Sequence, residues 1–423
     1  MTYLNQYIFI KTERETNRPR GSPSDAFYYF IKNSKIELLS HDSAYGVIFK
    51  CIFKKHENWS PYFYLDSDGD LSNVTIIVIK LVLLSDPIID TDGKPMVEWL
   101  FQTKKLEPIL KRCDTTKNFK NEVETMLNTS ERGIQKLHRN TPILLYSNKY
   151  HYDSWNYRCL YPKLLQNTAK NSDKDAIYKI NALFRFLVKR HPGCIISLGL
   201  MAMEYIVPDY RVYCRIVKPI INDEIRTIPG NETINKYDSL SLSLHSTRLK
   251  WLYNIARYDL LRLAIDTGYS QGDYHTENVL MDEIRRFTMI IDFGNAVRIP
   301  NIESCRVAWL ELLKTDFLDD EENLTKVRMI LKSIFDANFI DNSEKSAEYT
   351  WIKSIDKGDV SIMISIHKSR EVKCIGPGKY DGCLFIHYFK HCTEYMYDGE
   401  CIEREKRFMD VSFYELLNYW WHK

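Results

Sequence analysis

The stretch from Gln271 to Gly294 constrains this 423-residue chain more than any other. Asp273 is followed five positions later by Asn278. Asp292 comes fourteen positions after that, with the apolar pair Ile290-Ile291 before it and Phe293-Gly294 behind it. In phosphoryl transfer, one carboxylate faces an acceptor hydroxyl while an amide and a second carboxylate hold a metal on the nucleotide phosphates; this spacing supplies those three groups.

With the D-x-x-x-x-N spacing of Asp273 and Asn278 and the D-F-G of Asp292-Phe293-Gly294, the segment resembles the catalytic and metal-binding loops of the protein-kinase-like superfamily. The His-Arg that usually precedes the first Asp is here Gln271-Gly272, and the Lys usually found two residues after it is His275. The G-D-x-H-x-x-N arrangement is also similar to aminoglycoside phosphotransferases and choline kinases, which share the fold.

Composition narrows the setting. A chain of this length buries one large core or two modest ones. Its formal charge of +2 gives no bulk attraction to nucleic acid or an anionic membrane, so no direct nucleic-acid binding is expected. No run of about 18 apolar residues exists, so no membrane span is expected. The start, Met1-Thr-Tyr-Leu-Asn-Gln-Tyr-Ile8, lacks the basic-then-apolar order of a secretory signal. Ten cysteines without a C-x-x-C point to reduced thiols and a cytoplasmic setting. Abundant Tyr, Asn, Lys and Ile fit an AT-rich genome such as that of a virus or parasite; for a viral protein the setting is host cytoplasm or virion.

Along the chain, residues 1–35 are polar and rich in turn formers and read as a segment ahead of the fold. Residues 36–54 alternate in strand fashion. Asp66-Ser-Asp-Gly-Asp70 predicts a hairpin loop, and Val74 to Leu84 predicts a buried strand interrupted only by Lys80. Residues 85–116 form a long connection. Phe119, Val123 and Met126-Leu127 recur at helical spacing. Pro142 to Tyr146 suits a strand, and 148–192 reads as an insertion with a helix at about 174–190. Cys194 to Ile206 predicts another buried strand. Leu249 to Thr267 predicts a long helix stopped by Gly268, and 305–337 is helical again. Residues 346–423 are rich in aromatics, and Tyr419-Trp420-Trp421 suggest that the end packs onto the body or a partner.

Four further parts of a kinase-like site are expected ahead of Asp273, and they occur in the family's order. Ser43-Ala-Tyr-Gly46-Val-Ile-Phe49 resembles a glycine-rich phosphate loop with only its last glycine kept, although Gly46 read alone is also an ordinary strand turn. Val78-Ile-Lys80 resembles V-A-I-K, which implies that Lys80 braces the nucleotide phosphates. Apolar neighbours on both sides of Lys80 argue against a lysine that merely snorkels to water. Glu122-Val-Glu-Thr-Met126 resembles the helix whose glutamate pairs with that lysine. Glu122 has the better phase and Glu124 that of a solvated face; the alternative is that both face water. Met203-Glu204-Tyr205-Ile206 resembles the M-E-Y hinge, which implies that the backbone of Glu204 to Ile206 reads an adenine edge while Met203 lines the back of the pocket.

The resemblance implies an α+β, two-lobed protein-kinase-like fold. An N-lobe would span 36–206 with insertions at 85–116 and 148–192, a C-lobe 207–345, and a C-terminal extension 346–423. It implies an ATP- and Mg²⁺-dependent phosphotransferase, preferred here as an atypical serine/threonine protein kinase acting on a protein substrate. Asp273 would take the acceptor proton, and Asn278 and Asp292 would hold the metal. His275 would either touch the transferred phosphate or support its loop. Gly272 in place of the arginine argues against control by a phosphorylated activation loop, and the lack of an A-P-E after Gly294 implies that the segment that docks peptide substrates in ordinary protein kinases is short or rebuilt. A small-molecule hydroxyl kinase and a non-catalytic pseudokinase with a docking role are the alternatives. Cys374, Cys383, Cys392 and Cys401 recur every nine residues with His387 and His391 among them, but lack the tight pairs of zinc motifs and read as ordinary thiols ahead of metal ligands.

Overall fold

Two of the most apolar runs in the chain, Ile76–Pro87 and Cys194–Glu204, lie side by side at the centre of a five-stranded antiparallel sheet. The structure is a computed structural model that describes residues 23–40, 46–54, 63–65, 71–88, 113–134, 140–190, 194–206, 211–212, 247–274, 278–282, 287–314, 321–336, 352–353 and 355–372. The strands are β1 (Ser34–Ser40), β2 (Gly46–Phe53), β3 (Phe63–Leu65), β4 (Leu71–Asn73), β5 (Ile76–Pro87), β6 (Leu144–Tyr150), β7 (Cys194–Glu204), β8 (Arg211–Val212), β9 (Val279–Asp282) and β10 (Phe287–Ile290). The helices are α1 (Pro23–Lys32), α2 (Thr116–Ile134), α3 (Trp155–Asn167), α4 (Asn171–Arg190), α5 (Thr247–Thr267), α6 (Ile302–Lys314), α7 (Glu321–Asp336) and α8 (Lys357–Val372). The fold is mixed α+β. Its main sheet runs β1-β2-β5-β7-β6, and β10-β9-β8 form a smaller one. β3 and β4 pair with Leu65 opposite Leu71, so the strands flanking residues 66–70 make the expected hairpin.

Strand alternation gives the main sheet two unlike faces. On one, Val47, Phe49 and Cys51 of β2, Ile77, Ile79, Leu81 and Leu83 of β5, and Leu198, Leu200 and Ala202 of β7 are all buried. A layer of α1, α3 and α4 covers it, with Phe30 against Phe53 at 5.0 Å and Phe27 stacked on Tyr146 at 4.5 Å. The 148–192 insertion is therefore mostly two helices rather than one, and it closes the sheet's far side. It also protects the edge strand: Ile36 bridges to Thr168, and Leu38 N–H donates to Asp173 at 3.1 Å. The other face carries Lys80 and receives α2.

Two expected boundaries need correction. In its described part, 23–35, the segment 1–35 does not stand apart, because Phe27, Phe30 and Ile31 sit at helical spacing and are fully buried, and β1 already begins at Ser34. The extension from 346 is, in its described part, core. Ile355, Val360, Met363 and Ile366 are buried, and Lys250 and Asn254 of α5 each reach Asp359 in the first turn of α8, at 3.3 and 2.9 Å. Cys374, Cys383, Cys392 and Cys401 lie outside the described residues, as do 89–112 of the long connection.

α5 is buried nearly all round, as a helix at the middle of a helical cluster must be. It is tied to the sheet region through Asn140, whose side-chain amide nitrogen donates to Asp259 O at 2.7 Å while its backbone carbonyl accepts Ile290 N–H at 2.8 Å. Buried Asp259 in turn accepts the Thr288 N–H at 3.0 Å. These bonds set β10, and so the chain leading to Asp292, against α5. No helix among the described residues is long and apolar enough to cross a membrane.

Candidate active site

Lys80 lies on β5 opposite Ile48 of β2 and Met201 of β7, so an ammonium stands in the middle of a mostly apolar sheet. Burial there is tolerable only with partners. Glu122 Oε1 lies 2.9 Å from Lys80 Nζ and Asp292 Oδ1 lies 3.4 Å from it. Glu122 is delivered by the inward stripe of α2, beside buried Phe119, Val123 and Met126, whereas Glu124 is exposed. The helix sits close because β7 carries Gly199, where a Cβ would fall 2.7 Å from the Phe119 ring. Burial alone would pull the Lys80 pKa down, but Asp292 and Glu122 outweigh it and hold the ammonium above its ordinary range. Burial pushes Glu122 up to about 7, with Lys80 opposing and Asp292 adding to the rise.

The second half of the site begins where α5 ends. Gly268, at φ 80°, stops the helix. The chain then pairs with the segment after Gly294: Ser270 N–H donates to Val297 O, and Ile299 N–H to Gly268 O, both at 2.9 Å. Gly272 has φ 84°, and a Cβ on it would lie 1.9 Å from Asn295 O. Glycine is thus required for the two segments to touch. The run after Gly294 is short, since it is pinned at 297–299 and enters α6 at Ile302.

Within this frame Asp273, Asn278 and Asp292 are brought together by a web of hydrogen bonds. Asn278 Nδ2 donates to Asp273 O at 3.0 Å, and Asn278 O accepts the N–H of Ile291 at 3.0 Å. The buried Gln271 side chain accepts Asp273 N–H on its oxygen at 2.8 Å. Its nitrogen donates to Ile291 O at 3.0 Å and also to Asp292 O. Asp292 has φ 60°, a left-handed conformation costly for a residue with a Cβ, and its side chain stays 44% exposed beside Lys80. Gln271 was not among the expected site residues. The signal for it was its place two positions before Asp273, occupied by a side chain that donates and accepts at once.

The donor set suits a hard cation held partly by phosphate oxygens. Asn278 turns its nitrogen to Asp273 O, which leaves its oxygen as the donor facing away, and Asp292 adds a carboxylate open to solvent. No group of three or more His, Cys, Asp or Glu side chains among the described residues forms a self-contained metal cage. Mg²⁺, which keeps waters and leans on one or two carboxylates plus substrate phosphates, fits such a set.

At the Glu204 end of β7, Met203 lies opposite Val78 and Leu144, and Ile48, Val78 and Met203 are all partly exposed on the Lys80 face. Glu204 N–H donates to Ile143 O at 2.9 Å, so that donor belongs to the sheet; the Glu204 carboxylate accepts from Ile143 N–H at 3.2 Å. The Lys50 ammonium lies 4.2 Å from the centre of the Tyr205 ring. Ile206 ends the described part of this run, partly exposed. Gly46 opens β2, where a Cβ would lie 2.3 Å from Leu81 O, so close strand approach is sufficient reason for glycine there. Residues 41–45 and His275 lie outside the described residues. No family model matches the chain, and no curated protein matches it.

Proposed function

We propose that the protein is a two-lobed, protein-kinase-like phosphotransferase that uses ATP and Mg²⁺ to phosphorylate a hydroxyl. The observation that carries the reading is a single connected network. Lys80 reaches Glu122 and Asp292, and Gln271 and Asn278 tie Asp292 to Asp273. Three widely separated stretches of sequence contribute to it, around Lys80, around Glu122 and from Gln271 to Asp292.

In this reading Asp273 orients the acceptor hydroxyl and takes its proton as the acceptor oxygen bonds to the γ-phosphorus. The bond from that phosphorus to the β-phosphate bridge oxygen breaks, and ADP leaves. Asp292 and the Asn278 side-chain oxygen would hold Mg²⁺, which would supply charge neutralisation on the phosphates. Lys80, steadied by Glu122, braces the α- and β-phosphates. Met203, Val78 and Ile48 form the apolar surface for adenine, with the backbone of Glu204 to Ile206 along its edge. Rate comes from positioning and charge neutralisation.

An atypical serine/threonine protein kinase remains the preferred form. The short run from Gly294 to Ile302, pinned against 268–270, favours a second reading as a kinase of small hydroxyl compounds, because it leaves little chain to dock a peptide. Incubation with γ-labelled ATP, Mg²⁺ and either a protein mixture or a panel of small alcohols separates the two by where the label goes. If neither transfer nor a Mg²⁺-dependent thermal shift with ATP is seen, the proposal fails.

A further inference from the structure

We infer that Asp86 is a positioning residue for Glu122, so that the Lys80–Glu122 pair is assembled before any nucleotide, partner or modification arrives. The catalytic consequence rests on the phosphotransfer reading above. Asp86 follows Lys80 by six positions on β5 and so shares its face, and Thr116 precedes Glu122 by six positions on α2. The two elements are joined at both places. The Asp86 carboxylate accepts Thr116 N–H at 2.8 Å and also the Thr116 hydroxyl. The chain entering the helix is stitched to the same strand, with Ser85 N–H on Asp114 O at 2.8 Å and Asp114 N–H on Leu83 O at 2.9 Å. Thr115 Oγ accepts Asn118 N–H at 3.1 Å, which completes the cap.

α2 has no acid of its own in its first turn, so the negative charge that its N-terminus favours comes from β5 through Asp86 and from Asp114 before the helix. One turn further on, Phe119 seats on Gly199 of β7. Glu122 then meets Lys80. A helix held at its first turn by the very strand that carries the lysine cannot swing away from that lysine without breaking these bonds. Asp86 itself touches neither nucleotide nor acceptor; it acts through Glu122.

The test uses the full chain in six forms: wild type, Asp86→Ala, Asp86→Asn, Glu122→Gln, Asp86→Ala combined with Glu122→Gln, and a control variant, Asp359→Asn. Asp86→Ala is expected to raise the KM for ATP roughly tenfold, the scale of a lost helix cap, and Asp86→Asn, which still caps, to restore it. In the Glu122→Gln background Asp86→Ala is expected to add nothing, because its route to the site is already cut. Asp359→Asn, a change in a capping contact of α8 remote from the site, serves as the stability control and should leave the KM unmoved. Hydrogen exchange of amides 117–123 in nucleotide-free protein gives a readout independent of activity, expected to quicken about tenfold in Asp86→Ala. Unchanged exchange there, or an Asp86→Ala effect just as large in the Glu122→Gln background, overturns the inference. If wild type transfers no phosphate, the phosphotransfer reading fails, and the exchange experiment alone decides whether Asp86 holds α2.

Discussion

Gln271 and Asp273 are joined side chain to backbone: the Gln271 amide oxygen accepts Asp273 N–H at 2.8 Å, while the same amide's nitrogen bonds the carbonyls of Ile291 and Asp292. One neutral side chain thus clamps the two loops that bear the candidate catalytic and metal-binding acids. An amide does this without a charge and without a titration near neutral pH.

Gln271→Leu removes the bonds to Asp273 N–H and to the Ile291 and Asp292 carbonyls, partly buried groups, at about 1–3 kcal/mol. Loosening of the two acids by even an ångström is expected to lower kcat by about a hundredfold. Gln271→Glu should be worse, since it turns a carboxylate toward two carbonyl oxygens. Melting temperature and steady-state rates against γ-labelled ATP check both; wild-type kcat in Gln271→Leu would remove the clamp from the mechanism.

Asp273→Asn keeps the shape of the site but cannot take a proton. Transfer should fall by roughly 10²–10⁴-fold, the usual worth of general base catalysis, while Mg²⁺-ATP still raises the melting temperature as in wild type. Undiminished turnover would show that another group takes the proton.

Glu122 predicts a pH effect on stability. Its pKa is raised on folding, from 4.5 to about 7, chiefly by burial. Between those values the folded state holds a proton that the unfolded state has released, so this contribution is full below about 4.5 and is lost as pH rises through 7. Glu122→Gln should therefore show a flatter fall in melting temperature between pH 5 and about 8 than wild type. Lys80→Met removes the ammonium that opposes the rise, so its melting temperature should drop more steeply with pH than that of wild type, and it should use ATP poorly. Parallel slopes in all three proteins would contradict this assignment.

Gly272→Ala meets two obstacles at once, a positive φ and a carbonyl 1.9 Å from the new Cβ. A loss of more than about 2 kcal/mol is expected, with the 268–270 and 297–299 segments prised apart. Gly199→Ala should be milder in stability but should push Phe119 and its helix off the sheet and raise the KM for ATP. Urea unfolding and ATP titrations distinguish the two.

Much of this arrangement was legible before any coordinates. The β-branched run around Lys80 read as a buried strand, where an unpaired ammonium is costly; the resemblance of Glu122 to Met126 to the family's helix, with the better phase of Glu122 over Glu124, pointed to the partner, which the structure places at 2.9 Å. The long helix, its stop at Gly268 and the second core strand followed from apolar spacing in the same way. Less legible was what depends on distant contacts. The polar run before Pro23 masked a helix whose Phe27, Phe30 and Ile31 enter the core. Nothing local shows that the 148–192 insertion becomes the layer closing the sheet's far face.

Sequence by itself determined which chemical groups this protein can bring to bear, because a motif's residue types and spacings are local and a lone buried charge forces a partner. Tertiary structure decided how those groups are held. Gln271, Asp86 and Gly199 matter only through what lies across from them, and Gly272 is explained by a carbonyl twenty-three positions away at Asn295. Hydrogen bonds and close approaches between segments far apart in the chain depend on how the whole core packs, which no short stretch of residues encodes.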